Sequence, residues 1–300
     1  MSSYSRQNYS GSIFCIVRRL IDSSLTPFSP TDCRITEFWA VYSRSVNQAA
    51  REDSHMKIIT GMHRSGTSLV ARLFYEAGTD MGDPQTFYRP DRWNPEGYFE
   101  QPDIHAINMP LINGPWWKFA YYHLPSTQTI LKRAQKRHEQ IRYTARIYEA
   151  RVIKETRFCL TLPAWLEYGA RVDRILICLR NPIQVARSIQ KRNITPIGHG
   201  YYLWRLHNMR ILENAGDIPV WFINYRDLLD VSTQIPEITR AFRFMGYDFS
   251  EERIRELAQI CVKPGMNHNT DVSVAYPPKI QSLWDTLLQR HADQCSDMES

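Results

Sequence analysis

The sequence predicts an α/β fold, a mainly parallel sheet flanked by helices on both faces, and three observations predict it. Short apolar runs alternate with helical patterns from Met56 onward, the order expected of βαβ units. One run, Ile175-Leu176-Ile177-Cys178-Leu179, is apolar at every position, as a strand covered on both faces must be. The first run, Lys57–Thr60, passes through a glycine-containing loop directly into a helical pattern.

Taken in order, Lys57–Thr60 reads as a strand, and Leu69, Val70, Leu73, Phe74 and Ala77 fall on one helical face that stops at Gly78. Residues 79–125 hold Pro84, Pro90, Pro95, Pro102, Pro110 and Pro115. They read as a long irregular segment, a length that points to function such as a substrate lid. Ser126–Ala150 is polar, rich in helix formers and opened by a serine cap, so an exposed helix is expected. Arg151–Lys154 is a short strand, Leu160–Gly169 a helix, Arg174–Leu179 a buried strand, and Pro182–Arg192 a helix with proline in its first turn. A helix over Tyr201–Asn214, a strand over Val220–Ile223, and helices over Thr233–Met245, Ser250–Val262 and Lys279–His291 complete the alternation. The expected organisation is one domain over residues 55–300 with a lid at 79–125. Residues 1–54 are serine-rich with Arg6, Arg18 and Arg19 before the first acidic residue, Asp22. Organelle transit peptides share that composition; a plain N-terminal extension is the other reading.

Composition narrows the function. With 300 residues, 43% hydrophobic and 23% charged, the chain is an ordinary globule, which excludes collagen, coiled coil and wholesale disorder. A formal net charge of +6 favours anionic partners by a modest margin. Nucleic acid is not expected, because the basic residues read as scattered and no zinc-finger spacing occurs. The apolar stretch around Ile13–Ile21 is interrupted by Arg18 and Arg19, so no transmembrane segment is expected. Among the six cysteines no pair has CxxC spacing, and Cys159, Cys178 and Cys261 sit among apolar neighbours. Free thiols in a reducing, cytoplasmic setting follow. The nine histidines show no ligand spacing, so no metal site is expected.

Gly61-Met62-His63-Arg64-Ser65-Gly66-Thr67-Ser68 follows a strand and opens a helix, the setting in which backbone N–H groups and the helix dipole cradle a phosphate. It departs from the nucleotide-triphosphate pattern G-x-x-x-x-G-K-[ST]: Thr67 holds the lysine position, and a cation, Arg64, stands inside the loop. The most apolar strand ends in Arg180, where a triphosphate enzyme would place the metal-binding carboxylate. Arginine there calls for a second anion. Ser188, eight residues on, could clasp the same phosphate.

These motifs, in this order, resemble the PAPS-dependent sulfotransferases. Their 5′-phosphosulfate loop reads like G-x-[PH]-[RK]-S-G-[TS]-[TS], and their 3′-phosphate motif is an arginine at a strand end followed by a serine. Leu179-Arg180-Asn181-Pro182, Asn94-Pro95-Glu96-Gly97-Tyr98-Phe99-Glu100 and Tyr225-Arg226-Asp227-Leu228-Leu229 look like the bacterial members, over roughly residues 57–290. The resemblance implies a P-loop NTPase-like sulfotransferase fold and 3′-phosphoadenosine 5′-phosphosulfate (PAPS) as donor, with no metal. Gly61, Arg64, Ser65, Gly66, Thr67 and Ser68 would hold the 5′-phosphosulfate, and Arg180 and Ser188 the 3′-phosphate. It also implies that Lys154 and Arg64 bring positive charge to the leaving oxygen, although Lys154-Glu155-Thr156-Arg157 departs from the more usual K-D-P-R.

For the base that takes the acceptor's proton, the hormone-type enzymes use a histidine shortly after that lysine, which this chain lacks. Glycosaminoglycan-type enzymes use a glutamate after the phosphate loop, which implies Glu100 first and Glu96 second, with Asp103 and His105 nearby. Partial burial under a lid would raise such a carboxyl's pKa toward a working range. Trp116, Trp117, Phe119, Tyr121 and Tyr122 read as core packing or as the lining of an acceptor pocket. The acceptor stays open among sugar hydroxyl, amine, lipid headgroup, tyrosine and small alcohol, and so does the oligomeric state. A P-loop kinase and a non-catalytic nucleotide-binding protein are the competing readings.

Overall fold

A computed structural model of the chain describes residues 55–113, 123–263 and 275–299. The expected N-terminal extension and the aromatic run from Trp116 to Tyr122 lie outside the described residues.

Four parallel strands form one sheet in the order β2-β1-β3-β4: β1 Met56–Thr60, β2 Val152–Lys154, β3 Val172–Leu179 and β4 Val220–Asn224. Register pairs Ile59 with Lys154, Thr60 with Ile177, and Leu179 with Asn224. Because successive side chains on a strand point to opposite faces, each strand feeds two cores. Ile58, Ile153, Ile175, Ile177 and Phe222 pack on one side, and Ile59, Val152, Leu176, Cys178 and Trp221 on the other. That alternation is why the β3 run is apolar throughout.

On the second side lie α1 (Thr67–Glu76), α8 (Tyr225–Leu229), α9 (Gln234–Phe244) and α10 (Glu251–Cys261). The first side carries α2 (Pro102–Asn113), α3 (Thr127–Ala134), α4 (His138–Ile147), α5 (Phe158–Glu167), α6 (Pro182–Asn193), α7 (Ile197–Ala215) and α11 (Pro278–Glu299). The helices expected from periodicity are present, with shifts of a few residues at their ends. Cys159, Cys178 and Cys261 are buried thiols. Among the described residues no helix is long and apolar enough to cross a membrane.

Three expectations need correction. The segment 79–125 is not irregular throughout, since Pro102–Asn113 is helical with Pro110 inside it. A proline inside a helix costs about 3 kcal/mol, but Ile104, Ile107 and Leu111 lie on one face and are fully buried, each contributing roughly 1.5–3 kcal/mol. Pro102, at the first helical position, forfeits no helical hydrogen bond. Ser126–Ala150 does open on a serine cap, Ser126 Oγ accepting the Thr129 N–H at 3.2 Å. It then breaks at a 3₁₀ turn over Gln135–Arg137, and it buries Ile130, Ala134, Ile141 and Ala145 rather than lying exposed. The basic residues are not evenly scattered either: residues 126–151 hold seven Lys/Arg against two glutamates, and Lys132, Lys136, Arg142 and Arg146 are exposed.

Candidate functional site

The C-terminal ends of all four strands converge, the place where open parallel sheets bind ligands. Gly61 follows β1, Lys154 closes β2, Arg180 follows β3 and Tyr225 follows β4. The β2-β1-β3 order makes the β1/β3 edge the topological switch point. A cavity of about 170 Å³ lies there, lined by Arg64, Thr67, Ser68, Lys154, Arg180 and Tyr225 among others.

The loop's shape depends on two glycines. Gly61 has φ 146°, and a Cβ on it would come within 2.8 Å of the Cys178 carbonyl oxygen on β3. Gly66, φ 93°, would place a Cβ 2.2 Å from the Tyr225 ring. Gly66 is the cap residue of α1, and no side chain caps this helix; its first turn holds no acidic residue. By contrast α6, at the end of β3, is capped by Asn181, whose Oδ1 accepts the Ile183 N–H at 3.2 Å. An uncapped N-terminus presents N–H groups and the positive end of the helix dipole.

Arginines surround that terminus. Arg64, itself at φ 72°, donates through Nε to Ser188 Oγ at 2.9 Å and through Nη1 to the Trp93 carbonyl at 3.3 Å. Arg180 donates to the Arg64 carbonyl at 3.0 Å and to Gln184 Oε1 at 3.1 Å, and its guanidinium lies 4.2 Å from the centre of the Tyr225 ring. Ser188 thus reaches Arg180 through Arg64. Arg192, a turn beyond Ser188, also lines the cavity. Among the described residues, no carboxylate lies within ion-pair distance of Arg64, Arg180 or Arg192. Burial lowers the pKa of Arg64 and of Arg180; the Arg192 charge lowers that of Arg64 further. Three guanidiniums crowded together without a counter-ion favour an anion between them.

Behind the loop lies a buried four-charge cluster. Lys154 Nζ bonds Glu100 Oε1 and stands 3.5 Å from Ser68 Oγ. Arg157 Nη1 lies 3.3 Å from Glu100 Oε2 and 2.7 Å from Glu155 Oε1. Lys154 is 3% exposed, Glu155 1% and Glu100 6%. The expectation that burial would raise the pKa of Glu100 fails: burial does push it up, but the Lys154 and Arg157 charges together overcome that and hold it below the ordinary carboxylate range. Glu155 goes the other way, raised by burial. Its Oε2 is unpaired, as is the buried His105 Nδ1. Glu155 also shapes the turn after β2: its Oε1 accepts the Arg157 backbone N–H at 2.9 Å. In place of proline, Thr156 Oγ1 bonds His63 Nδ1 at 3.0 Å. Burial, and then the Arg157 charge, hold the His63 imidazole well below its ordinary range, so it is neutral at pH 7.

Glu96 sits apart from this cluster. Its carboxylate is taken up by Arg72 on α1 and by Lys263, and nearby Asn94 Nδ2 donates to Ser68 Oγ at 2.9 Å. The segment 91–98 is thereby fastened over the loop. A second cavity of about 190 Å³ shares His63, Arg64, Tyr98, Glu100 and Arg192 with the first and adds Met62, Ile189 and Leu203. Sequence reasoning brought Gly61, Arg64, Ser65, Gly66, Thr67, Ser68, Lys154, Arg180, Ser188 and Glu100 to one place. It gave no role to His63, Thr156, Glu155 or Arg192, although His63 lies inside the glycine loop and Arg192 stands four residues after Ser188 on one helix face.

Two triads, Glu100/His105/Glu155 and Glu237/His291/Cys295, bring possible metal-ligand atoms within 4.8 Å of one another. In the first, Lys154 and Arg157 already supply the positive charge. In the second, Glu237 Oε1 accepts the Asn224 N–H at 2.7 Å and lies 2.9 Å from His291 Nε2, which ties α9 and α11 to the end of β4.

No family model matches the chain, and no curated protein matches it. Among solved structures, the sulfotransferase STF1 from Mycobacterium tuberculosis is similar over 80% of this chain and 77% of its own, with 13% identity and a TM-score of 0.34.

Proposed function

We propose that the protein is a sulfotransferase that uses PAPS to sulfate a hydroxyl or amine acceptor. The observation that carries this reading is the set of three guanidiniums without carboxylate partners around an uncapped helix N-terminus, with Arg180 at the strand end. The cradle fits a phosphosulfate: Gly61 and Gly66 keep the loop backbone open, and both positions exclude a side chain. Gly61, Arg64, Ser65, Gly66, Thr67 and Ser68 would hold the 5′ end of the donor, and Arg180 with Ser188 the 3′-phosphate. Bound PAPS would supply the sulfuryl group; this chain supplies the charge and the proton acceptor. Lys154, 3.5 Å from Ser68 Oγ and in the lining of the loop cavity, would set a fixed cation where charge gathers on the leaving oxygen. Glu100, paired with Lys154 and Arg157, lines both cavities and would take the acceptor's proton.

Calorimetry with 3′-phosphoadenosine 5′-phosphate (PAP) in EDTA tests this. Micromolar binding, about −8 kcal/mol, is expected, weakened by roughly 1.5–3 kcal/mol in Arg180→Ala. Absence of binding, with ATP-Mg²⁺ bound instead, would overturn the reading in favour of a kinase.

A further inference from the structure

The triad of Glu237, His291 and Cys295 stands outside the loop site, against the strand that closes one side of the sheet. β4 is an edge strand, and three of its backbone groups are taken by side chains. Gln294 Nε2 donates to the Val220 carbonyl at 2.6 Å, Gln294 Oε1 accepts the Phe222 N–H at 3.1 Å, and Glu237 Oε1 accepts the Asn224 N–H at 2.7 Å. Gln294 belongs to α11 and Glu237 to α9, so two helices are fixed to one strand. On α11, His291 and Cys295 are four residues apart and share a face. That frame brings them to Glu237: His291 Nε2 lies 2.9 Å from Glu237 Oε1 and 3.8 Å from Cys295 Sγ, and all three ligand atoms lie within 4.8 Å of one another. The convergence is on a single atom. A relay from carboxylate through imidazole to thiol uses both ring nitrogens, one for each neighbour, whereas here both neighbours approach Nε2, which carries at most one hydrogen. A metal ion at that point serves all three.

We propose that Glu237, His291 and Cys295 bind one Zn²⁺, with water in the fourth position, and that the ion clamps α11 to α9 and to the edge of β4. Imidazole, thiolate and carboxylate are donors that zinc takes, and ligands at about 2.0–2.3 Å in a tetrahedron stand about 3.3–3.6 Å apart. The 2.9 and 3.8 Å separations therefore need to change by only a few tenths of an ångström, and the partly exposed Cys295 is the ligand that moves to close the third edge. A thiolate disfavours magnesium and calcium, which take oxygen ligands. Glu237 is held ready for the role. It is 0% exposed, with Arg240 on Oε2 at 3.2 Å and the Asn224 N–H on Oε1, outer contacts of the kind that orient a metal-bound carboxylate. On binding, the ion takes the place of the Nε2 hydrogen, the imidazole keeps its proton on Nδ1, and the thiol proton leaves to solvent. The site is independent of sulfuryl transfer. Histidine spacing does not reveal it, because Glu237 lies 54 positions before His291 and the second ligand on α11 is a cysteine.

The test uses the untagged full chain, stripped with a chelator and kept reduced. It is titrated with Zn²⁺ against a chromophoric competitor and with Co²⁺ by absorption, for wild type, Cys295→Ser and His291→Gln. Cys295→Ser changes one atom at a partly exposed position and serves alone if His291→Gln does not fold. Expected are one Zn²⁺ per chain at submicromolar affinity, a thiolate-to-cobalt charge-transfer band, and a melting temperature that Zn²⁺ raises by several degrees in wild type and not in Cys295→Ser. The folded variants should lose more affinity than the about 10–100-fold that a missing supporting contact costs. Absence of stoichiometric binding, a cobalt spectrum without the thiolate band, or equal affinity in Cys295→Ser would overturn the proposal, the last by placing the ion on other residues of the chain. Tight binding that the variants lose, with no change in the wild-type melting temperature, would overturn the clamp.

Discussion

Glu96 and Glu100 are four residues apart, both paired to two cations, and they meet those cations in opposite settings. Glu96 holds Arg72 and Lys263 at the surface, its side chain 28% exposed. Its pKa is lowered first by the hydrogen bond from Lys263. Glu100 holds Lys154 and Arg157 in the interior, 7% exposed, where burial opposes the charge and the two cations reverse it. The surface pairs are worth 0–1 kcal/mol each and are screened by salt. In the buried group each charge depends on the others, because a lone ion left there is heavily penalised. The same residue type is thus a fastener at one position and part of a charge-balanced buried cluster at the other.

The sharpest break of this comparison is Lys154→Met against Lys263→Met. The first removes one cation from a cluster of two cations and two carboxylates, and should lower unfolding free energy by about 3–5 kcal/mol at pH 8. The second should change it by less than about 1 kcal/mol. Because burial raises the Glu155 pKa, that carboxyl can take up a proton and relieve the imbalance, so the Lys154→Met loss should shrink at pH 5. Urea titrations at both pH values decide this, and equal losses for the two variants would show that the interior cluster is not charge-coupled.

Next in size is turnover. Glu100→Gln should cut kcat by about 10²-fold or more with PAP affinity within about twofold, while Glu96→Gln should leave kcat within about threefold. A larger loss for Glu96→Gln would exchange the two roles.

How far these roles are legible in the sequence follows from the distance over which each is encoded. The unbroken apolar run of β3 and the helical face through Leu69, Leu73 and Phe74 are local patterns, and they specify their elements. The glycine loop and Arg180 are local too, since each follows directly on a strand. Pro110 misleads because its breaking tendency is local while the burial of Ile104, Ile107 and Leu111 is tertiary. The environment of Glu100 was illegible for the same reason. Its partners are 54 and 57 residues away and arrive only because β2 pairs beside β1. The His63–Thr156 bond spans 93 positions, and nothing near either residue announces it.

Acid separates the histidines from the carboxylates. His207 is 1% exposed, and burial lowers its pKa to about 4; its Nδ1 lies 2.8 Å from the Leu203 carbonyl. The unfolded chain, with a histidine pKa near 6.5, binds a proton that the folded chain refuses. Stability is therefore full above about pH 6.5 and falls as pH drops toward 4, by on the order of 2–3 kcal/mol for this residue. The lowered carboxyl of Glu100 loses its contribution only below its unfolded value of 4.5, so the two windows are distinct. His207→Asn, which keeps a donor to the Leu203 carbonyl, should flatten the slope of stability between pH 6.5 and 4.5; an unchanged slope would assign the acid sensitivity elsewhere.

The smallest effect concerns the fastening at Glu96. The loop cavity, at about 170 Å³, is bounded on one side by Trp93, Asn94, Glu96 and Tyr98, so the position of the segment 91–98 bears on how a nucleotide enters and leaves. What holds that segment is the Glu96 pair with Arg72 and Lys263, the Asn94–Ser68 bond and the Arg64 bond to the Trp93 carbonyl. Removing the Glu96 charge releases surface pairs worth 0–1 kcal/mol each. Glu96→Gln should therefore speed PAP association and dissociation by a few-fold, up to about tenfold, with little change in Kd. Salt makes the argument specific, because 0.5 M NaCl screens surface pairs and should bring the wild-type rates, measured by stopped flow, toward those of the variant. If salt shifts both proteins equally, opening is limited by Asn94 and Arg64, and Glu96 is no more than a solvated surface carboxylate.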